Sequence, residues 1–198
     1  MKRCIQSLCV CFTLVLLSSS PANATPLRWT LQNVTFGECR LGPSLPNSCD
    51  PGGTATGYFV FDATTYAFSD WSIAVQGGAE VVFPTFAYVP AVSSVTVEYR
   101  GTPDEFFNFL GPASPTYGNR HREFRLAFAV PLTDSGGTVA INLSNGWVKE
   151  CYNCEPQRKL ASGSVTTAVG TSPVPEPASL VLLGTGLVGL RAWRKRVK

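Results

Sequence analysis

Residues 123–130 read E-F-R-L-A-F-A-V, and large apolar side chains alternate there with charged or small ones. A period of two places Phe124, Leu126 and Phe128 on one face of an extended strand, whereas a helix needs a period near 3.6. The same alternation, bounded by Gly, Pro and Asp, recurs through the middle of the chain. Further strands are predicted at residues 27–36, 57–62, 71–75, 80–83, 92–99, 138–143, 146–151 and 163–169.

Short strands that are separated by frequent turns are typical of all-β proteins. Because short turns such as Gly77-Gly78 join neighbouring strands, we expect those strands to pair antiparallel. The sequence therefore predicts an all-β body, an antiparallel β-sandwich or jelly roll. Within this body a helical turn is compatible only with residues 104–110.

Residues 1–24 have the organisation of a secretory signal peptide. Lys2 and Arg3 form a positive n-region, residues 5–17 carry an apolar h-region, and Ala22-Asn23-Ala24 is an A-x-A cleavage site. The mature protein is expected to begin directly after this site and to be exported.

The C-terminal stretch contains three different parts in series. V-P-E-P-A-S at residues 174–179 is an extended elbow, because its prolines fix φ and remove backbone donors. Residues 180–190 are apolar and can form a helix. R-A-W-R-K-R-V-K at residues 191–198 is a basic end, suited to the cytoplasmic side of a membrane.

The apolar part of this stretch is short for a membrane span. Residues 178–190 are 13 uncharged residues, which give about 20 Å of helix. A hydrocarbon core is ~30 Å thick and normally needs about 20 residues. We therefore expect a transient membrane anchor over residues 178–193 in place of a permanent one.

This ordered C-terminal stretch resembles the PEP-CTERM sorting signal of Gram-negative bacteria. The resemblance implies recognition by a membrane enzyme called exosortase, cleavage near the Pro-Glu-Pro, and delivery to the cell surface or an exopolysaccharide matrix. The residues that carry the motif are Val174, Pro175, Glu176, Pro177, Arg191, Arg194, Lys195 and Arg196.

A second motif overlaps the apolar part, since residues 184–189 fit G-x-G-x-x-G. A dinucleotide-binding turn needs a strand before this motif, a helix after it and an acidic residue about 20 positions later. The printed sequence ends nine residues after Gly189. No cofactor is therefore predicted, and the glycines suit close packing of a membrane helix.

The sequence divides into a signal peptide at 1–24, a body at 25–171 and a sorting tail at 172–198. The whole chain has 16 basic and 13 acidic residues, a formal charge of +3. Residues 25–176 hold nine of the basic residues and all of the acidic ones, so this part carries about −4. The basic ends therefore reflect membrane topology, and no nucleic-acid partner is predicted.

Four cysteines remain after removal of the signal peptide: Cys39, Cys49, Cys151 and Cys154. An even number in an oxidising compartment predicts disulfides, and four cysteines allow three connectivities. The local pairs Cys39–Cys49 and Cys151–Cys154 are favoured, because each closes a short loop rich in turn residues. The C-x-x-C follows a strand, which disfavours a redox site, and the nine residues inside the first pair disfavour zinc.

The other polar residues predict neither a metal site nor a catalytic site. His121 is the only histidine, and its flanking arginines disfavour a metal and indicate a solvated strand edge. Residues 50–62 resemble the D-G-G-x-x-x-G-x-F-x-[FY]-D segment of exported proteins with this tail, and that resemblance brings no activity with it. Asp62 and Asp70 lack the D-x-D-x-D-G pattern of a calcium loop, so a structural role in turns is favoured for them.

Three functions are compatible with these features. The favoured one is a non-enzymatic, exported protein of the cell surface or exopolysaccharide matrix, whose exposed Trp and Tyr side chains contact polysaccharide. The alternative is a secreted hydrolase of glycans or esters, which would need two carboxylates about 5–9 Å apart in a cleft. A calcium-stabilised adhesion module is the third. The candidate acids of the hydrolase are Asp62, Asp70, Asp104 and Glu105.

Overall fold

The computed structural model describes residues 25–41, 51–78, 80–153 and 155–167. The predicted signal peptide and sorting tail lie outside these residues, as do Cys49 and Cys154. In the described part, no helix has the length and apolar character that a membrane crossing requires. The strands there are β1 (Leu27–Arg40), β2 (Thr54–Asp62), β3 (Ala67–Gln76), β4 (Phe86–Tyr88), β5 (Ser94–Glu98), β6 (Phe106–Ser114), β7 (Arg120–Leu126), β8 (Thr138–Ala140), β9 (Lys149–Tyr152) and β10 (Gln157–Thr167).

All ten strands belong to one antiparallel sheet with the order β4-β3-β2-β1-β10-β9-β7-β6-β5, and β8 adds to β10. This confirms the predicted all-β, antiparallel class. The sheet folds over on itself, because Phe59 of β2 lies against Phe107 and Phe109 of β6, with ring centroids 5.6 and 6.0 Å apart. The two halves of the sheet therefore enclose the core between them.

The core is aromatic. Trp29, Phe59, Phe109 and Phe124 are all almost fully buried. The rings of Phe59, Phe109 and Phe124 meet in tilted pairs, and such pairs contribute about 0.5–1.5 kcal/mol each beyond the burial of their area. The period-two alternation of the sequence supplies these rings, since every second residue of a strand points to the same side.

The hairpin predicted after Gly77-Gly78 was wrong in its second strand. Residues 80–83 form a turn, and β3 pairs with β4 instead. Phe83 is fully buried in a second apolar cluster, where it stacks on Tyr152 at 5.6 Å. Val82 and Phe83 therefore serve a packed turn and not a strand, whereas Val81 is exposed.

The helical turn considered for residues 104–110 was also wrong, because β6 begins at Phe106. Phe106 and Phe107 are both buried, one on each face of the strand. Two consecutive buried rings hide the alternation that normally reveals a strand. The neighbouring strand β7 is also buried on both faces, since Glu123 and Arg125 are buried like Phe124.

Glycines before and within β2 have a structural role. Gly57 has φ +121°, and a Cβ there would collide with the carbonyl oxygen of Ser72 on β3. A Cβ on Gly53 would likewise lie 2.5 Å from the carbonyl oxygen of Gly77. These glycines let β2 and the turn after β3 approach each other closely.

Candidate functional site

A buried network of charges links four strands at one end of the core. Glu150 of β9 is fully buried, and its carboxylate lies 2.7 Å from Arg122 Nε of β7 and 2.7 Å from Arg158 Nε of β10. Tyr88 of β4 donates its hydroxyl to the same carboxylate at 3.0 Å. Burial, together with the negative charge of Glu150, raises the pKa of Tyr88 well above its usual range.

The two arginines also hold turns of the opposite half of the sheet. Arg122 donates to the carbonyl oxygen of Pro84 at 2.6 Å, and Arg158 donates to that of Gly77 at 2.7 Å. Arg158 lies over the ring of Phe36 at 3.8 Å. Because these groups are buried and bonded to one another, we assign the network a structural role.

A second polar cluster lies on the outer face of β6 and β7. Glu123 accepts hydrogen bonds from Arg125 Nε at 2.9 Å and from Asn108 Nδ2 at 3.0 Å. The guanidinium of Arg125 lies 5.1 Å from the ring of Phe106 and 5.2 Å from that of Trp147. The hydrogen-bonded cluster thus lies beneath aromatic side chains and supports them through the guanidinium of Arg125.

An aromatic ledge, made of Tyr99 and Trp147, lies above this polar cluster. The two rings stack with centroids 6.0 Å apart and an interplanar angle of 30°. Trp147 also stacks on Phe106 at 5.5 Å. Tyr99 is 57% exposed, although it packs against two rings. The ledge therefore presents rigid aromatic surface to the solvent.

The turn after β5 holds Tyr99 in place. Tyr99 has φ +50°, a conformation that costs a residue other than glycine about 1–3 kcal/mol. Its carbonyl oxygen accepts hydrogen bonds from the amide of Thr102 at 3.1 Å and from the hydroxyl of Thr102 at 2.7 Å. The amide of Gly101 donates to Glu105 at 2.6 Å. These bonds maintain a strained backbone at an exposed aromatic residue.

A cavity of about 370 Å³ opens behind this turn. Its wall is mainly apolar and includes Phe61, Tyr66 and Phe107, while Glu105 and Asn142 are among its polar residues. The guanidinium of Arg100 covers the ring of Tyr66 at 3.5 Å. The cavity and the ledge thus share the turn that follows β5.

The acids proposed for a hydrolase serve local structure. Asp62 accepts the amides of Thr64 and Thr65 at 2.8 and 3.0 Å, and hydrogen bonds of this kind, that from Thr65 above all, lower the pKa of its carboxyl. Asp70 accepts the hydroxyl of Tyr58 at 2.8 Å. Glu105 caps the turn described above, and Asp104 is exposed in that turn. Within the described part of the chain, none of the hydrogen bonds and ion pairs of these residues links two of the four acids.

The other residues considered for chemistry are also dispersed over the described part of the fold. His121 is exposed at the start of β7, and its Nδ1 lies 2.9 Å from the carbonyl oxygen of Gly111. Among the described residues, no group of three or more His, Cys, Asp or Glu side chains is placed to hold a metal ion.

The sheet register limits how the cysteines can pair. Arg158 of β10 is the register partner of both Cys39 on β1 and Glu150 on β9, so Cys39 and Cys151 are separated by an intervening strand. Two strand spacings amount to about 10 Å, beyond the ~7 Å between Cα atoms that a disulfide allows. Cys39 and Cys151 therefore cannot pair with each other. The favoured pairs Cys39–Cys49 and Cys151–Cys154 stay a prediction, because Cys49 and Cys154 lie outside the described residues.

Comparison with known families identifies the C-terminal stretch. A family model described as the PEP-CTERM protein-sorting motif matches residues 173–196. The chain carries a PEP-CTERM sorting tail. Neither a curated protein nor a solved structure matches the chain. The PEP-CTERM tail implies an exported protein that exosortase processes after a transient stay in the membrane.

The PEP-CTERM tail follows the central strand of the body. β10 ends at Thr167, between β1 on one side and β9 and β8 on the other. The amide of Thr167 donates to the carbonyl oxygen of Gly137 at 2.9 Å, and its hydroxyl accepts the amide of Gly137 at 2.8 Å. The tail is therefore attached to a strand that is hydrogen-bonded along both edges.

Proposed function

We propose that the protein is a non-enzymatic component of the cell surface or exopolysaccharide matrix, and that its body binds polysaccharide through the aromatic ledge. The PEP-CTERM tail supplies the route, since it implies export and processing by exosortase. The observation that carries the binding function is the stack of the exposed Tyr99 on the half-buried Trp147. The final location at the surface or in the matrix belongs to the proposal.

The chemistry of sugars fits such a ledge. One face of a pyranose ring presents mainly C–H groups, which pack favourably against the face of an aromatic ring and leave the hydroxyl groups to water. A surface that is already rigid loses little conformational entropy on binding. Trp147 is held by Phe106 and by the guanidinium of Arg125, so the ledge meets this condition.

Replacing either ring of the ledge should weaken polysaccharide binding. We expect Tyr99→Ala and Trp147→Ala each to raise the Kd at least about tenfold, which corresponds to about 1.4 kcal/mol of lost contact. The measurement is retardation of the full chain, in a mild detergent, on gels that contain the extracellular polysaccharide of the producing cell. Tyr99→Phe keeps the ring and should bind like the wild type.

A matched control separates the ledge from general surface effects. Val92 is 51% exposed, comparable to Tyr99, and is apolar. Val92→Ala should leave retardation unchanged. If Val92→Ala weakens binding as much as Tyr99→Ala, or if neither ledge variant changes it, the assignment of the ledge is wrong.

The sorting part of the proposal has its own test. Deletion of residues 174–198 should abolish display at the surface or in the matrix, because the deleted segment contains the Pro-Glu-Pro elbow, the apolar span and the basic end. Cell fractionation and labelling of intact cells measure this, and the body variant Pro103→Ala should localise like the wild type. Unchanged localisation of the truncated protein would contradict the sorting role.

A further inference from the structure

Two cations of the described body, one of them next to the ledge, have no acidic partner. Arg122 and Arg158 are paired with Glu150, and Arg125 with Glu123. Arg120 and Lys149, by contrast, make no ion pair with any described residue. Arg40 and Lys159 share Glu38, while Arg28 and Arg100 each lie 3.5 Å over a tyrosine ring.

Arg120 and Lys149 line the same open depression on the protein surface. Asn153, Glu155 and Gln157 complete its wall, and its volume is about 630 Å³. Lys149 begins β9 and Tyr152 ends it, so this side of the depression extends over about 10 Å at ~3.3 Å per residue of extended chain. A depression of this length can contact several consecutive atoms of a polymer backbone.

One polar atom of this depression has unused hydrogen-bonding capacity. Gln157 Oε1 is buried and has no hydrogen-bond partner among the described residues. Because this oxygen is withdrawn from the surface, a ligand hydroxyl can bond to it only after the Gln157 side chain turns toward the depression. Arg120 is held by its bond to the carbonyl oxygen of Glu155 at 2.7 Å, which keeps the guanidinium at the wall.

The depression is continuous with the aromatic ledge through Lys149. Lys149 Nζ lies 5.5 Å from the centre of the Trp147 ring. A sugar unit stacked on Trp147 would therefore place its substituents, or those of the next unit, beside an ammonium group. Arg120 lies further along the same depression.

We propose that the ledge and the depression together form a site for an acidic polysaccharide, whose sugar rings stack on Trp147 and whose carboxylates pair with Lys149 and Arg120. The inference rests on the proposed function and specifies its ligand class. Glu155 adds one negative charge, so the depression carries about +1. The exported part of the chain carries about −4, so attraction of a polyanion depends on this local site.

A matched pair of polymers tests the ligand class. Polygalacturonate and its methyl ester share one backbone and differ in the carboxylate charge. We expect the full chain, in a mild non-ionic detergent, to bind polygalacturonate at least tenfold more tightly than the methyl ester. Raising the salt from about 0.05 to about 0.5 M should weaken only the binding of the acidic polymer.

Variants locate the site. Lys149→Gln and Arg120→Gln should each weaken binding of polygalacturonate several-fold and leave binding of the methyl ester unchanged. Both side chains reach solvent, so an unchanged melting temperature will show that the variants fold. Lys159 pairs with Lys149 across β9 and β10 but lies 3.4 Å from Glu38, so Lys159→Gln is the control that should bind like the wild type.

The possible failures are distinguishable. Equal affinity for the two polymers would overturn the acidic ligand class and leave the proposed function standing. An effect of Lys159→Gln as large as that of Lys149→Gln would overturn the location of the site. Failure to bind these polymers and the polysaccharide of the producing cell would overturn the proposed function itself.

Discussion

Replacing Glu150 with glutamine should lower the free energy of unfolding by about 3–5 kcal/mol, because it leaves two buried guanidinium groups without a counter-charge. Arg122 and Arg158 both bond to this carboxylate and are both buried. Domains of this size are typically stable by about 5–15 kcal/mol, so the loss would be a large part of the total. The hydroxyl of Tyr88 also donates to this carboxylate.

Urea denaturation of residues 25–171, monitored by tryptophan fluorescence, measures this loss of free energy of unfolding. Glu38→Gln is the matched control, because Glu38 also contacts two cations, Arg40 and Lys159, but is exposed. Exposed ion pairs contribute little, so this control should change the midpoint far less. A midpoint for Glu150→Gln no lower than that for Glu38→Gln would show that the network does not link the strands.

Gly57→Ala should be similarly damaging, with a loss of about 2–6 kcal/mol. One part of the loss is the conformation, since φ is +121° and such strain costs about 1–3 kcal/mol. The other part is steric, since the new methyl group would meet the carbonyl oxygen of Ser72, and overpacking costs about 1–3 kcal/mol. The variant should push β2 and β3 apart and lower the midpoint of urea unfolding.

Two other glycines separate these contributions. Gly101 has φ +74°, and a methyl group added to it would meet none of the described residues beyond its chain neighbours within 4 Å. Gly101→Ala should therefore show the conformational cost alone. Gly146 also has open space and needs no positive φ, so Gly146→Ala should stay within about 1 kcal/mol of the wild type. If Gly57→Ala costs no more than Gly101→Ala, β3 does not approach β2 as closely as described.

The fold class was readable from the sequence because it depends on local periodicity. The alternation at Leu27, Trp29 and Leu31 and again at Phe59 and Phe61 places one set of side chains in the core, as observed. The segments that misled are those where apolar residues serve a turn, as Phe83 does, or where both faces of a strand are buried, as at Phe106. Local pattern cannot distinguish these cases, since the covering residues come from distant strands.

The buried network was not predicted, although the sequence held a signal for it. Glu150 and Tyr152 share one face of β9, and the buried Val148, two residues before Glu150, and Tyr152 indicate that this face points inward. A charged residue at an inward position requires a partner of opposite charge. The partners Arg122 and Arg158 lie on other strands, so only the strand order could identify them.

The candidate site shows the same limit. An exposed Trp or Tyr was expected, but the sequence could not select Trp147 and Tyr99, because they meet only when the turn after β5 reaches the segment before β9. The sequence likewise could not show that Lys149 and Arg120 line the same depression. The whole sorting tail could be predicted from the sequence, since its elbow, apolar span and basic end are consecutive in the chain.

The most direct test of the binding function is a fluorescence titration of the full chain with polygalacturonate. A sugar stacked on the ledge should change the emission of Trp147. Trp29 is buried and should not respond. We predict a saturable change that Trp71→Phe retains, since Trp71 is bonded to Ser93 away from the ledge, and that Trp147→Phe abolishes. A change of the same size in Trp147→Phe would contradict the aromatic ledge as the polysaccharide-binding surface.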